Sequence, residues 1–335
     1  QPILEDVITP RQGMATGNNG RFVRNWYEVN FLNIGLSYST YKDAQESKKK
    51  WFPYNKGGGY NKWYGNNYYV VNWFKNGSEI KSTKPKSVIR NESYYFKEGV
   101  SWSLISLNFS ARYTQKGYLF DVGGSSGFPE KEDLYYSIAL LNSKVSSYVL
   151  AGLNFTLNVQ VGDIKRILFV KPEEKEKKEI EDLSKELISL SKKEFDYSEL
   201  SREFNNHILI DFKEKNIESS YSNCFDQITE DTRLFYLNER KINSSFIKLY
   251  NLENELYPEP DLKYLTIYQN YISEIEFKEE KLSLELKQDY IISSFINYAI
   301  GLFMGRYRSH KRGLNIAPPN PTPEELKSPP YNKGS

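Results

Sequence analysis

A chain of 335 residues with 39% hydrophobic, 26% charged and 15% aromatic residues can bury a sizeable core, which excludes a disordered tail. One cysteine excludes an internal disulfide and a Cys-built zinc site and fits a reducing, cytoplasmic setting; the most apolar run, Phe295 to Met304, falls short of the ~20 residues that span a membrane. The net charge of +2 hides an asymmetry: residues 1–171 carry 22 Lys+Arg against 13 Asp+Glu and residues 172–335 carry 23 against 30, so a polyanion is expected on the first half and repelled by the second.

The opening Gln1-Pro2-Ile3-Leu4-Glu5 lacks an initiator Met, a basic n-region and an apolar h-region, so no signal peptide is expected and the chain reads as a piece of a longer protein. Residues 1–170 alternate short apolar and aromatic runs with Gly, Asn and Ser, which predicts strands and loops. Tyr68 to Phe74 is one such run, closed by the turn Lys75-Asn76-Gly77. All five tryptophans lie in this region, and Val159–Val170 reads as its last strand. Pro172, followed by Glu173 and Glu174, suits a helix start. Ile180, Leu183, Leu187 and Leu190 then recur at helical spacing, so the helix is predicted to run to about Phe195. Residues 200–240 give no clear pattern. Ser244 is a predicted N-cap for a short helix carrying Phe246, Leu249 and Tyr250 and stopped by Pro258; Asp289–Met304 predicts a second, more deeply buried helix. Prolines 318, 319, 321, 323, 329 and 330 predict an extended or disordered tail.

Several phrases resemble one family: Gly13 to Arg24, Lys50 to Gly58, Lys62 to Asn67 and on to Trp73, Glu98 to Ser103, Phe109 to Tyr113, Phe120 to Ser126, Ile242 to Leu252 and Ser294 to Tyr307. The family is the PglX-type adenine-specific DNA methyltransferases of BREX phage-defence systems, in the part that follows their catalytic domain. A strand ending in Gly162-Asp163-Ile164-Lys165-Arg166-Ile167 and followed by an amphipathic helix is also similar to the specificity regions of type IIG and type I restriction systems, where the helix spaces recognition domains apart. The resemblance implies a target-recognition domain and a helical C-terminal region serving methyl transfer from S-adenosylmethionine to an adenine amino group. It implies as partners double-stranded DNA, the protein's own catalytic domain, other phage-defence proteins and DNA-mimic inhibitors. No acidic Gly-rich cofactor loop follows a strand, and no Asn-Pro-Pro-Tyr stands in a suitable setting, so this chain alone is expected to hold no cofactor and no metal and to methylate nothing.

Site residues follow from composition read with the resemblance. Thr16, Asn18, Asn19, Arg21 and Arg24 can present donors and acceptors to base edges and phosphate; composition alone leaves an Asn-Gly turn equally open. Residues 51–74 hold ten aromatics among Lys56, Asn61, Lys62, Asn66 and Asn67; the rings read as core, the polar side chains as contacts. Gly123 to Gly127 lacks the Lys-Ser/Thr ending and helix of a nucleotide loop and reads, through Ser125 and Ser126, as a flexible loop touching DNA backbone beside Arg112 and Tyr113. Ser328-Pro329-Pro330-Tyr331 follows Glu324-Glu325-Leu326-Lys327 instead of an apolar strand and reads as tail, not as a base-holding loop. His207 and His310 lack metal-site partners. Arg306, Arg308, Lys311 and Arg312 read as a solvated helix end, with a secondary phosphate contact as the alternative.

The expected architecture is α+β: a β-rich recognition domain over 1–171, a spacer helix over 172–199, a helical region over 200–312 and the tail over 313–335. Two other classes remain open, a carbohydrate-binding module, whose binding salt would barely affect, and an interaction scaffold within a defence complex.

Overall fold

Short runs of β-branched and aromatic residues broken by Gly and Asn form short strands, and the computed structural model shows this for the first part of the chain. It describes residues 2–307 other than 107, 155 and 157. The Pro-rich tail, Ser328 to Tyr331, His310, Arg308, Lys311 and Arg312 therefore lie outside the described residues. The chain divides into two units, one of Gln1–Lys192 with Tyr236–Asp261, the other of Lys193–Phe235 with the chain from Leu262 onward.

In chain order the first part runs β1 (Ile8–Arg11), α1 (Asn19–Phe22), β2 (Val23–Asn25), α2 (Tyr41–Glu46), β3 (Trp51–Asn55), β4 (Tyr69–Asn72), α3 (Phe74–Lys81), β5 (Gly99–Trp102), β6 (Ala111–Thr114), β7 (Leu119–Phe120), β8 (Ser126–Pro129), α4 (Leu134–Asn142), α5 (Lys144–Leu153) and α6 (Val161–Lys165). The strands form two four-stranded sheets, ordered β1-β8-β5-β6 and β2-β4-β3-β7. Pairing is antiparallel except between β3 and β7. The core is aromatic: Phe22, Phe52, Tyr54, Trp73, Tyr95, Phe96 and Phe120 are all buried together. Edge-to-face contacts organise it, with Trp73 and Tyr95 centroids 5.3 Å apart at 83° and Tyr95 and Phe120 5.4 Å apart at 89°.

The turn expected at Lys75-Asn76-Gly77 is there, with φ of 48°, 56° and 67° in the left-handed region. A side chain at Gly77 would meet the Trp73 ring at 2.4 Å, so only glycine closes this turn over its tryptophan. Two expectations for this region are corrected. Leu134–Leu153 is helical, not strand and loop: Leu134 and Tyr136 through Asn142 are all buried, so α4 has no polar face and no stripe to betray it. Asn142 completes the edge of β6, accepting from the Ala111 N–H and donating to its carbonyl, both at 2.9 Å. Val159–Val170 is not a strand either; Val161–Lys165 turns as α6, started by Asp163, which accepts from the Gln160 N–H at 2.8 Å.

The rest of the chain runs α7 (Glu174–Phe195), α8 (Ile208–Asp211), α9 (Ile217–Leu249), β9 (Ile272–Lys278), β10 (Lys281–Leu286) and α10 (Gln288–Phe303). Helices α7 and α10 lie where periodicity put them, but α10 is not the deeply buried helix expected: of its residues Ile291, Tyr298 and Gly301 are buried, while Ile296, Ile300 and Phe303 are exposed. Ser244 is no N-cap: it sits inside α9, 33 residues long. Nor does Pro258 stop that helix. Asn251, left-handed at φ 54°, does, letting the Leu252 N–H reach back to the Ile247 carbonyl at 2.9 Å. The second unit also contains an antiparallel hairpin, β9–β10, absent from the expected helical region; Glu279 and Glu280, at φ 52° and 60°, supply its tight turn. With sheets and helices both present, the fold is α+β. No helix among the described residues is long and apolar enough to cross a membrane.

Candidate nucleic-acid interface

The register of β2, β4 and β3 decides where the predicted contact residues fall. Val23 pairs with Val71 and Trp51 with Asn72, so the segment before β2 lies at one end of these strands. The loop from Lys56 to Asn67, between β3 and β4, lies at the other.

At the first end, Thr16 is buried and its hydroxyl donates to the Asn19 side-chain oxygen at 2.6 Å. The Asn18 side chain caps α1 by accepting from the Arg21 N–H at 3.0 Å. Asn18, Asn19 and Arg21 are exposed. Arg21 lies 3.5 Å from Glu79, an exposed pair that holds the guanidinium only weakly. Arg24 is half-buried and donates to the carbonyls of Gly20 and Val23 at 2.6 and 2.7 Å, bracing the turn that presents Asn18 to Arg21.

At the second end the polar residues are largely engaged internally. Lys62 pairs at 3.1 Å with Glu239, which is 3% exposed and also accepts from the Trp63 indole N–H at 2.8 Å. Burial alone would lower the Lys62 ammonium; Glu239 and Tyr60 outweigh it and hold its pKa above the usual value. Lys56 stands 5.0 Å over the Tyr69 ring with Asp121 nearby. Asn66 donates to the Gly59 carbonyl at 2.9 Å, Asn67 is buried, and the Asn61 N–H donates to Ser110 at 3.3 Å.

The other sheet takes the remaining candidates. Arg112 on β6 is 2% exposed and donates to the Ser103 hydroxyl and the Asn61 carbonyl at 3.1 and 3.3 Å. Burial pulls its pKa down to about 10, so it stays charged near neutrality and ties β6 to the 56–67 loop. Tyr113 donates to Glu98. Ser125 and Ser126 are buried, donating to the carbonyls of Val122 and Gly124. The Gly123 to Gly127 loop is packed instead of open, since a side chain at Gly124 would fall 2.4 Å from the Asn55 carbonyl oxygen. Asp121 fixes it, accepting from the Tyr54 hydroxyl at 2.6 Å and the Gly123 N–H at 2.7 Å.

Sequence reasoning missed Glu239, the carboxylate that decides the state of Lys62, because it stands 177 residues away in α9 and no local pattern links the two. Trp26, Trp63, Trp73 and Trp102 are 0–2% exposed, so the rings are core and offer no stacking face. His207 is also internal: its Nδ1 accepts from the Leu209 N–H at 3.2 Å and its Nε2 faces Ser294 at 2.9 Å. Among the described residues no three His, Cys, Asp or Glu side chains gather as metal ligands.

No family model matches the chain. It is 33% identical over 327 residues to the adenine-specific methyltransferase PglX of Lacticaseibacillus casei (strain Zhang), a match spanning 94% of this chain and 26% of the relative. It is 33% identical over 314 residues to the adenine-specific methyltransferase BrxX of Escherichia coli O9:H4 (strain HS), spanning 91% of this chain and 24% of the relative. The chain thus spans about a quarter of the length of these relatives. Among solved structures, the Type IIL restriction-modification enzyme MmeI in complex with DNA aligns with a TM-score of 0.42 at 11% identity, over 79% of this chain and 35% of that chain, a likeness too distant to argue from.

Proposed function

We propose, from the premise that this chain is a PglX-type sequence spanning about a quarter of its relatives' length, that it reads the sequence of double-stranded DNA for an S-adenosylmethionine-dependent adenine-N6 methyltransferase of a phage-defence system. The observation that carries this is the 33% identity running over 94% of the chain to a protein described as an adenine-specific methyltransferase. Charge supports it: the excess of Lys and Arg lies in residues 1–171. Cations of that half anchor phosphates, and Asn18 and Asn19, exposed beside Arg21, read base edges in the major groove. Candidates that the fold holds inside, Thr16, Lys62, Arg112, Ser125 and Ser126, act by shaping this surface.

The Gly-rich loop does not fit S-adenosylmethionine. Gly123 to Gly127 is packed against Asn55, and its acidic residue, Asp121, is spent on Tyr54 and Gly123. The target adenine is flipped into the catalytic part of the parent protein. The test is methylation-site mapping in cells carrying the full-length parent with Asn19→Ala and Arg21→Ala, and with Asn18→Ser, which keeps the cap. Relaxed or lost site choice is expected. An unchanged set of methylated sites in all three would refute the assignment of these residues.

A further inference from the structure

We infer that the phosphate-gripping edge of the first unit is one end of the β2-β4-β3 sheet, where Lys48, Lys50 and Lys75 join Arg21 to form a basic rim; this rests on the reading given under Proposed function. The register alone assembles it. Because Val23 pairs with Val71 and Trp51 with Asn72, the residues before β2, before β3 and after β4 all emerge at the same end. The Trp73 N–H donates to the Lys50 carbonyl at 2.9 Å, and Arg21 of α1 reaches Glu79 of α3 at 3.5 Å, so the three segments touch. Segments 18–22, 47–51 and 73–77 hold five cations, Arg21, Lys48, Lys49, Lys50 and Lys75, and no carboxylate.

Lys48, Lys50 and Lys75 are exposed, and none pairs with a carboxylate among the described residues. Of the nearby acids, Glu79 pairs with Arg21 of the rim at 3.5 Å between exposed groups, Glu46 with Lys42, and Asp43 is exposed on α2. Their mounts are fixed. Lys48 and Lys75 sit on left-handed backbone at φ 55° and 48°, and the ammonium groups of Lys50 and Lys75 stand 5.5 and 5.6 Å from the rings of Trp51 and Phe74. At the opposite end Glu239 neutralises Lys62 and Asp121 stands near Lys56, so the outward field is weaker there. Lys48, Lys50 and Lys75, pre-positioned and unpaired with carboxylates among the described residues, with Arg21 only weakly held by Glu79, fit a sugar-phosphate backbone, and they flank Asn18 and Asn19, the side chains proposed to read bases.

The experiment measures binding of the 335-residue chain to a fluorescent mixed-sequence duplex by anisotropy over a range of salt. Lys48→Gln/Lys50→Gln/Lys75→Gln is compared with Lys175→Gln/Lys178→Gln/Lys185→Gln, exposed lysines on α7 whose loss changes net charge equally. The rim variant is expected to bind about tenfold or more weakly, with a log-log salt slope shallower by roughly 2 to 3, while the α7 variant stays within about twofold. An unchanged thermal midpoint, and recovery with arginine at the three rim positions, would tie the loss to charge at that place. Equal binding by the rim variant, or equal loss in both variants, overturns the rim. Failure of the unaltered chain to bind any duplex overturns the DNA-reading role, and the rim with it.

Discussion

Glu239 is the side chain whose removal the first unit should feel most. It is 3% exposed and accepts from both the Lys62 ammonium and the Trp63 indole. Glu239→Ala leaves a buried cation unpaired, so denaturant unfolding should show a loss of about 3 to 5 kcal/mol, against little for the exposed pair partner Glu79→Ala. His207 gives the second unit a pH dependence. Burial depresses its pKa from 6.5 to about 4, so the unfolded chain takes up the proton first. Its contribution is complete above pH 6.5 and is lost as pH falls toward about 4, by at most about 3 kcal/mol. Glu194 in the same unit, its carboxyl pushed up to about 8 by burial, works in the opposite sense over this range, so the test is the difference between the unaltered chain and His207→Asn, which can still cap α8: the variant should lose less stability between pH 7 and pH 5, and an equal change in both would show another group responsible. Residue type alone announced Lys62 and Arg112 as cations. It could not show that one would meet a carboxylate from α9 and the other two neutral oxygens inside the sheet.

Helix α7 was legible because it lies on a surface: its polar positions stay wet, and an apolar stripe remains to be read. Even so, its buried face is rotated from the expected leucines, with Ile180, Ser184, Leu187, Ile188 and Ser191 innermost and Leu183 and Leu190 half-buried. Leu187→Ala should cost about 2 to 5 kcal/mol, and Leu183→Ala clearly less. Equal costs would place the face where periodicity put it. Helix α4 was illegible for the opposite reason, being buried at every position but Tyr135, and α9 because its 33 residues are shared between the two units, divided at Tyr236. The hairpin β9–β10 hid behind an exposed face of charged side chains and a Glu279-Glu280 turn, which lacks the Asn-Gly or Asp-Gly that usually marks such turns. Pairing register, which no local pattern encodes, is what brings Asn18, Lys50 and Lys75 to one sheet end.

Across the whole chain, the clearest functional signal was the distribution of charge, which needed no structure: a balance of +9 over residues 1–171 and −7 over 172–335. The fold adds to this by spending some cations inside, as with Lys62 and Arg112, and leaving others free at one sheet end. It also takes four of the five tryptophans inside, so the exposed rings a sugar-binding module could use are tyrosines such as Tyr27 and Tyr148. In the proposed function this surface meets a polyanionic duplex. The most direct test titrates a mixed-sequence duplex with the unaltered chain from low to physiological salt. Several phosphate contacts at ~0.9 each predict an affinity that falls steeply and linearly on log-log axes. Binding indifferent to salt, or none at the lowest ionic strength, would contradict the account.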